Sequence, residues 1–444
     1  MFKTLFIKTN KVSLLFALLS ILFYASFAYN LERTDYIKLI SLYAGLFYLF
    51  YKLIQFTKHD IKLLTWLAFG FRAVFILAIP NLSQDFYRFI WDGRMILEGF
   101  NPYLYTPESF ISNSKFPISQ AQELYNGMGA LNGSHFTNYP PINQLCFVIA
   151  GLFAGKSILG SAMVLRFIII AADFGILHFG KKLLKKLNLP VHHIFWYILN
   201  PFIIIELTGN LHFEGVMIFF LVWSLYLMHV GKWQWSAMVL ACSISVKLIP
   251  LIFLPLIWKH LKLKKGFLFC AIAGLFTLVM FLPFYSTEFV TNYAETVGLW
   301  FQRFEFNASF YYLFREIGYW ISGYNQIAII GKLIASLVFL IVLILAYFRK
   351  NKTIKELFFS MLLALTCYYF LSTTVHPWYV ATLLFLSIYT NYKFPLIWSF
   401  MIIFSYLAYA NADNTENLWI VAFEYMVIFA VFLFDLKKTK AIED

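Results

Sequence analysis

Residues Leu63–Tyr103 read LLTWLAFGFRAVFILAIPNLSQDFYRFIWDGRMILEGFNPY, and the change of character inside this run decides the fold. Positions 63–80 are mostly apolar and close to the ~20 residues that a helix needs to cross a bilayer. Ser83–Tyr103 instead mixes acids, bases and rings. Within it Phe86, Phe89, Ile90 and Ile96/Leu97 recur at helical spacing, as expected of an amphipathic helix lying at the interface. Gly99 then ends the helix and Asn101-Pro102-Tyr103 turns the chain. A span that runs straight into an interfacial helix points to an all-α, polytopic integral membrane protein.

Composition carries the same message. Hydrophobic residues make up 61% of the chain and charged residues 13%, with a mean hydropathy of +0.73. Soluble globular chains are roughly 45–50% apolar and about 25% charged. Too little polar surface remains to cover a water-soluble particle, which excludes a disordered chain, a disulfide scaffold and a nucleic-acid-binding domain. Lys and Arg total 35 against 22 acids, but they fall in short clusters between apolar runs, as positive-inside topology requires. Cys146, Cys242, Cys270 and Cys367 all lie in apolar stretches and read as small core residues.

Working outward, further spans are expected at 12–28, 37–51, 160–179, 194–209, 213–230, 267–285, 326–347, 356–374, 377–391, 394–411 and 416–434. Lys3, Lys8 and Lys11 precede the first, and Ser26 and Ala28 offer a signal-peptide cleavage pattern, although an uncleaved signal-anchor is favoured. The clusters at Lys52/Lys58/Lys62, Lys181/Lys182/Lys185/Lys186, Lys259/Lys262/Lys264/Lys265, Arg349/Lys350/Lys352/Lys355 and Lys437/Lys438/Lys440 should face the cytoplasm. About twelve crossings with both termini inside satisfy all of them. Pro140–Gly155 is then re-entrant or superficial, and Trp235–Trp258 is a hairpin entered and left from the cytoplasm. If both cross fully, the count becomes fourteen. Two long connections, 81–140 and 286–325, then face the extracytoplasmic side.

Several polar residues stand out, each with two readings. Asp85, Arg88 and Asp92 are spaced by three and four, which suits an exposed ion-pair ladder or a carboxylate at a cavity mouth acting as general base. Lys247, in SISVKLIPLIFLP, is too deep to be left alone. It pairs with a buried acid such as Asp173 or Glu206, or it meets a phosphate. Asn210, His212 and Glu214 form a polar loop or bind sugar hydroxyls, and His376-Pro377-Trp378 is an interface anchor or a sugar site. Arg166 and Asp173, seven apart on one helix face, are expected to tether helices. Arg303, Glu305 and Arg315 read as an amphipathic surface segment. Asn307-Ala308-Ser309 matches a glycosylation pattern that carries no weight alone. His212 and Glu214 lack a further ligand nearby, so no metal site is expected.

The order of these motifs resembles the GT-C glycosyltransferase superfamily, and above all the bacterial polyprenol-phosphate-mannose-dependent mannosyltransferases. The likeness rests on the Asp85 start after an early span, Trp91-Asp92-Gly93-Arg94, Gly99-x-Asn101-Pro102-Tyr103 and Tyr139-Pro140-Pro141 with Gln144. It continues through Arg166 with Asp173, Gly209-Asn210-Leu211-His212, Lys247 before Pro250, and His376-Pro377-Trp378.

The resemblance implies that a hexose, mannose above all, moves from a polyprenyl-phosphate carrier to an acceptor hydroxyl on the extracytoplasmic face, with inversion. Asp85 is then the base, with Asp92 second. Arg88, Arg94 and Lys247 would meet phosphate, and Tyr139, Asn210, His212, His376 and Trp378 the rest of the substrates. Many relatives carry two adjacent acids where this chain has Gln84-Asp85, which weakens any two-ligand metal site. The implied partners are a polyprenyl-phosphate sugar, a glycan or glycolipid acceptor and membrane lipids, with no nucleic acid and no cofactor. The implied location is a bacterial inner membrane. The rival reading, a polytopic transporter or lipid-linked sugar flippase, requires paired broken helices in two matching halves.

Overall fold

The computed structural model describes residues 11–411 and 413–443. Lys3 and Lys8 lie outside them. The described residues are helical, with one isolated bridge, between Phe306 and Thr374. Seven helices among them are long and apolar enough to cross a membrane: Lys11–Asn30, Tyr36–Thr57, Ile158–Lys186, Leu263–Phe284, Ile327–Phe348, Ile354–Leu371 and Leu418–Lys438. Their polar first turns are capped locally. Asp35, Ser157 and Thr353 each accept a backbone N–H at the start of a span, and Thr353 with Glu356 closes a full capping box. Large side chains such as Trp66, Leu278, Leu333 and Trp419 point outward, as lipid-facing positions do. The protein is a multi-pass membrane protein.

Other expected spans are shorter or broken. The 63–80 run forms only Ile61–Ala73 before unwinding, and 213–230 forms Glu214–His229. The 194–209 run is a pair, Val191–Ile198 and Pro201–Gly209, bent by 49°. Asn200-Pro201 makes the break: Pro201 cannot continue the preceding helix, and Asn200 Oδ1 caps the next one through the Phe202 N–H. The pair then ends in a wide, π-type turn over Ile204–Gly209, which leaves carbonyls without a helical partner. Arg166 supplies it, donating from Nε to the Thr208 carbonyl (2.9 Å) and from Nη2 to that of Gly209 (3.0 Å). Asp173, about two turns further along the same helix, instead binds Arg72 Nε at 2.7 Å, with both side chains fully buried. The two charges do tether helices, but through separate partners.

The two polar ends of the bundle are distinct. His229, where Glu214–His229 ends, lies within electrostatic reach of Lys186 and His260. Glu214, at the opposite end of that helix, binds Lys247. The intervening segment therefore leaves one end as Trp233–Ile244, turns at Ser245–Leu248, and returns through Ile249–Phe253 and Leu254–Leu261. This is a hairpin with Lys247 at its tip. The tip is anchored to the start of helix Pro141–Ala154, just after the first long loop, where the Ile142 N–H donates to Ser245 O (2.9 Å) and Asn143 Nδ2 to Val246 O (2.9 Å).

The first loop packs into the same hydrophobic core as the spans. Helix Asp85–Leu97 packs on Pro141–Ala154 so closely that a Cβ on Gly93 would sit 2.2 Å from the Phe147 carbonyl oxygen. One difference from expectation follows. The charged face of Asp85–Leu97 is covered by protein and not by water. Arg88, Asp92 and Arg94 are all buried, because helices Ala121–Gly133 and Pro141–Ala154 cover the face that amphipathic spacing assigned to water.

Candidate active site

The first loop, the hairpin tip, the second loop and the span ends border an open cavity of about 970 Å³. Its wall has two chemistries. Leu248, Ile249, Leu251 and Ile252 of the hairpin face Val338, Phe339 and Val342 of the Ile327–Phe348 span, making an apolar groove. Gln84, Asn132, Thr137, Asn138 and Asn414 add polar side chains to the wall.

Asp85 lines this cavity. It is the first residue of its helix, its backbone N–H is held by Ser83 Oγ at 3.3 Å, and its carboxylate has no hydrogen-bond partner among the described residues. Burial pushes its pKa up to about 6. The nearby Lys247 charge pulls it down and that of Glu214 pushes it up.

Arg88 and Asp92 form a buried pair behind Asp85, with Nε to Oδ1 at 2.8 Å. Arg88 Nη1 also donates to the carbonyls of Asn132 and His135, both at 2.9 Å. Gln144 Nε2 donates to the other Asp92 oxygen at 3.2 Å. Arg88 reaches the cavity wall and Asp92 does not. Arg94 is turned away as well, donating to Ser119 O (2.8 Å) and Gln120 Oε1 (3.1 Å). It holds the loop together from the side remote from the cavity. Tyr139 lines the cavity edge-on to Phe89 and Phe147. Its carbonyl accepts the Tyr103 hydroxyl at 2.6 Å, which joins the two Tyr-Pro turns of the loop.

Lys247 Nζ donates to Glu214 Oε1, and both residues line the cavity. The partner is therefore neither Asp173 nor Glu206. Glu206 accepts the Tyr406 hydroxyl instead, at 3.0 Å to each oxygen. Asn210 and His212 sit behind the wall. Asn210 Oδ1 accepts the Leu82 N–H at 3.2 Å and so fixes the start of the first loop. The ring of His212 stacks on Trp378 at 3.6 Å, Trp378 on His376 at 4.7 Å, and His376 on Phe306 at 5.2 Å. The last three of these rings line the cavity. Phe306 belongs to the second loop, pinned there by Asn307. The Asn307 N–H donates to Glu416 Oε1 (2.7 Å) and its Nδ2 to Glu424 Oε1 (3.2 Å). The Asn307 side chain is fully buried, so the glycosylation pattern there is a structural pin. Arg315 binds Glu305 at 2.8 Å beneath the same segment.

Six of the ten anticipated site residues thus share one cavity: Asp85, Arg88, Tyr139, Lys247, His376 and Trp378. Asp92, Arg94, Asn210 and His212 stand behind it. Sequence reasoning did not single out Arg33, which lies over the Tyr409 ring at 3.9 Å and also faces the cavity. A lone Arg in a short turn gives no periodic signal. Among the described residues, no group of three or more His, Cys, Asp or Glu is placed to hold a metal ion.

The family model described as "Alpha-(1->6)-mannopyranosyltransferase, N-terminal domain" matches residues 21–261, more than half of the chain. The chain belongs to this alpha-(1->6)-mannopyranosyltransferase family, of the GT-C type. Among the chain's relatives is alpha-(1->6)-mannopyranosyltransferase A of Mycobacterium tuberculosis. It is 22% identical over 239 residues, 48% of this chain and 44% of the relative. Its counterpart in Corynebacterium glutamicum is 25% identical over 198 residues, 44% of this chain and 38% of that one. The matched stretch thus spans less than half the length of either relative. No solved structure matches the chain. The stretch matching the mannopyranosyltransferase family model contains Asp85, Glu214 and Lys247, and ends before the second loop and His376.

Proposed function

We propose that the protein is a membrane mannosyltransferase. It takes mannose from a polyprenyl phosphate and passes it, with inversion, to a hydroxyl of a glycan or glycolipid on the extracytoplasmic face. One observation carries this reading. Asp85 lies within electrostatic reach of the Lys247–Glu214 pair, and all three line one cavity whose wall also carries both apolar and polar side chains. The apolar side chains suit an isoprenoid chain, the polar ones suit a glycan, and the charged trio suits the reacting phosphate and hydroxyl.

In this mechanism Asp85 accepts the proton of the acceptor hydroxyl as its oxygen attacks the anomeric carbon. The C1–O bond to phosphate breaks, the electron pair stays on the phosphate oxygen, and the Lys247 ammonium meets the added charge. The Arg88–Asp92 pair positions the Asp85 helix and takes no proton. Asn210 and His212 act through Leu82 and Trp378. Tyr139, His376 and Trp378 border the sugar.

About twelve crossings go with this reading. The hairpin and Pro141–Ala154 then make no net crossing, both termini face the cytoplasm, and the site faces outward from a bacterial inner membrane. A transporter would call for paired broken helices in matching halves, and one bent pair occurs among the described residues.

The test uses the purified protein in liposomes with an oligomannose acceptor and radiolabelled mannose on either a polyprenyl phosphate or a nucleotide. Transfer from the lipid donor alone is expected. Equal transfer from the nucleotide sugar would overturn the donor assignment.

A further inference from the structure

We propose that Glu214 is a positioning residue. It holds the Lys247 ammonium at the hairpin tip and balances its charge, so that the site keeps a singly charged lipid phosphodiester and lets go of a doubly charged lipid phosphate. This deepens the reading of Lys247 given above and rests on it.

Three observations place Glu214 in this role. It opens helix Glu214–His229 at the cavity, 3% exposed, with Oε1 accepting from Lys247 Nζ, whose side chain is 21% exposed. Its Oε2 is buried without a hydrogen-bond partner among the described residues, so Lys247 is the side chain that this carboxylate binds. The hairpin tip is fixed independently by Ile142 and Asn143, so Glu214 is not needed to hold the backbone there. An ammonium carries three donors. With one directed to Glu214, two are left for a ligand.

The charge balance of the reaction gives this pair its purpose. The donor phosphodiester carries one negative charge. When C1–O breaks, the electron pair stays on phosphate, and the lipid product is a monoester approaching two negative charges above its second ionisation near ~6. The proton from the acceptor neutralises Asp85. The other groups near Lys247 are Asp85 and the neutral rings of His212 and His376. Arg33, Arg88, Tyr139, Tyr379 and Tyr409 also lie around Asp85, and of the other carboxylates Asp92 is paired with Arg88 and Glu305 with Arg315. Glu214 is the carboxylate in contact with Lys247, so it is the one that opposes the extra charge of the product there. A lone lysine would hold the product more tightly than the donor.

The experiment measures donor KM and the inhibition constant of polyprenyl phosphate, using protein in liposomes. In Glu214→Gln the inhibition constant is expected to fall about tenfold, equivalent to about 1.4 kcal/mol, while donor KM falls less. The ratio of the two constants therefore drops. A purely structural Glu214 would move both together or neither, and an unchanged ratio overturns the proposal. A second measurement needs no variant. In the unaltered protein, polyprenyl phosphate should inhibit no more strongly than its singly charged methyl ester, and a tenfold advantage for the doubly charged form overturns the proposal. Lys247→Ala separates the underlying reading. If it leaves both donor KM and inhibition unchanged, Lys247 does not meet phosphate, and that assignment fails whatever Glu214 does.

Discussion

The pH dependence of transfer is the sharpest test of Asp85 as base. Burial raises its pKa to about 6, with Lys247 acting downward and Glu214 upward. A base must be ionised to accept the proton. With a pKa near 6, about ten in eleven molecules are ready at pH 7 and about one in eleven at pH 5. The initial rate of mannosyl transfer at saturating lipid donor should therefore rise about tenfold per pH unit up to ~6 and level off above it. The neighbours fix the sign of two further shifts. Lys247→Ala removes the downward influence, so the rising limb moves to higher pH. Glu214→Gln removes the upward one, so the limb moves to lower pH. Asp85→Asn keeps the volume but cannot accept the proton, and should cost roughly a hundredfold to ten-thousandfold. The assay is transfer of radiolabelled mannose in liposomes between pH 4.5 and 8. A flat profile between pH 5 and 7, or an Asp85→Asn variant that keeps more than a tenth of the rate, refutes the reasoning.

Three other outcomes are expected. Asp173→Ala strands Arg72 in the bundle interior and should destabilise the detergent-solubilised protein by about 3–5 kcal/mol; replacing both partners with apolar residues should cost less, and thermal unfolding midpoints report the difference. Gly93→Ala forces a methyl group against the Phe147 backbone, an overpacking of about 1–3 kcal/mol that should make the first loop sensitive to protease. Asn307→Ala removes the Nδ2 donor to Glu424, which keeps Trp398, while the backbone N–H to Glu416 remains. Loss of that one buried bond should cost about 1–3 kcal/mol, read as a lower thermal unfolding midpoint, while donor KM stays near its original value because the Phe306 backbone is held by Thr373 and Val375.

Legibility differed between elements for identifiable reasons. The long spans could be read because a bilayer demands about twenty apolar residues in a row, as in Ile327–Phe348. Glu214–His229 and Val191–Gly209 were harder, because a protein-lined interior tolerates short and broken helices. Lys247 announced itself by sitting in an apolar run, but its partner Glu214 is 33 residues away and no spacing rule connects them. Arg88 and Asp92 were legible as an i, i+4 pair. Their burial was not, because the helices that cover them come from elsewhere in the loop.

The sequence alone determined that this is an all-helical, multi-pass membrane protein with an acidic-aromatic loop after an early span, and the motif order pointed to its family. These properties depend on local composition and periodicity, which neighbouring residues carry between them. Tertiary structure alone decided which charges face the cavity and which stand behind it. It turned Arg94 and Asp92 away, brought Glu214 to Lys247, and stacked Phe306 against His376 across 70 residues of chain. Those outcomes depend on how hairpin, loops and broken span pack around one cavity. Packing joins residues that sequence distance keeps apart.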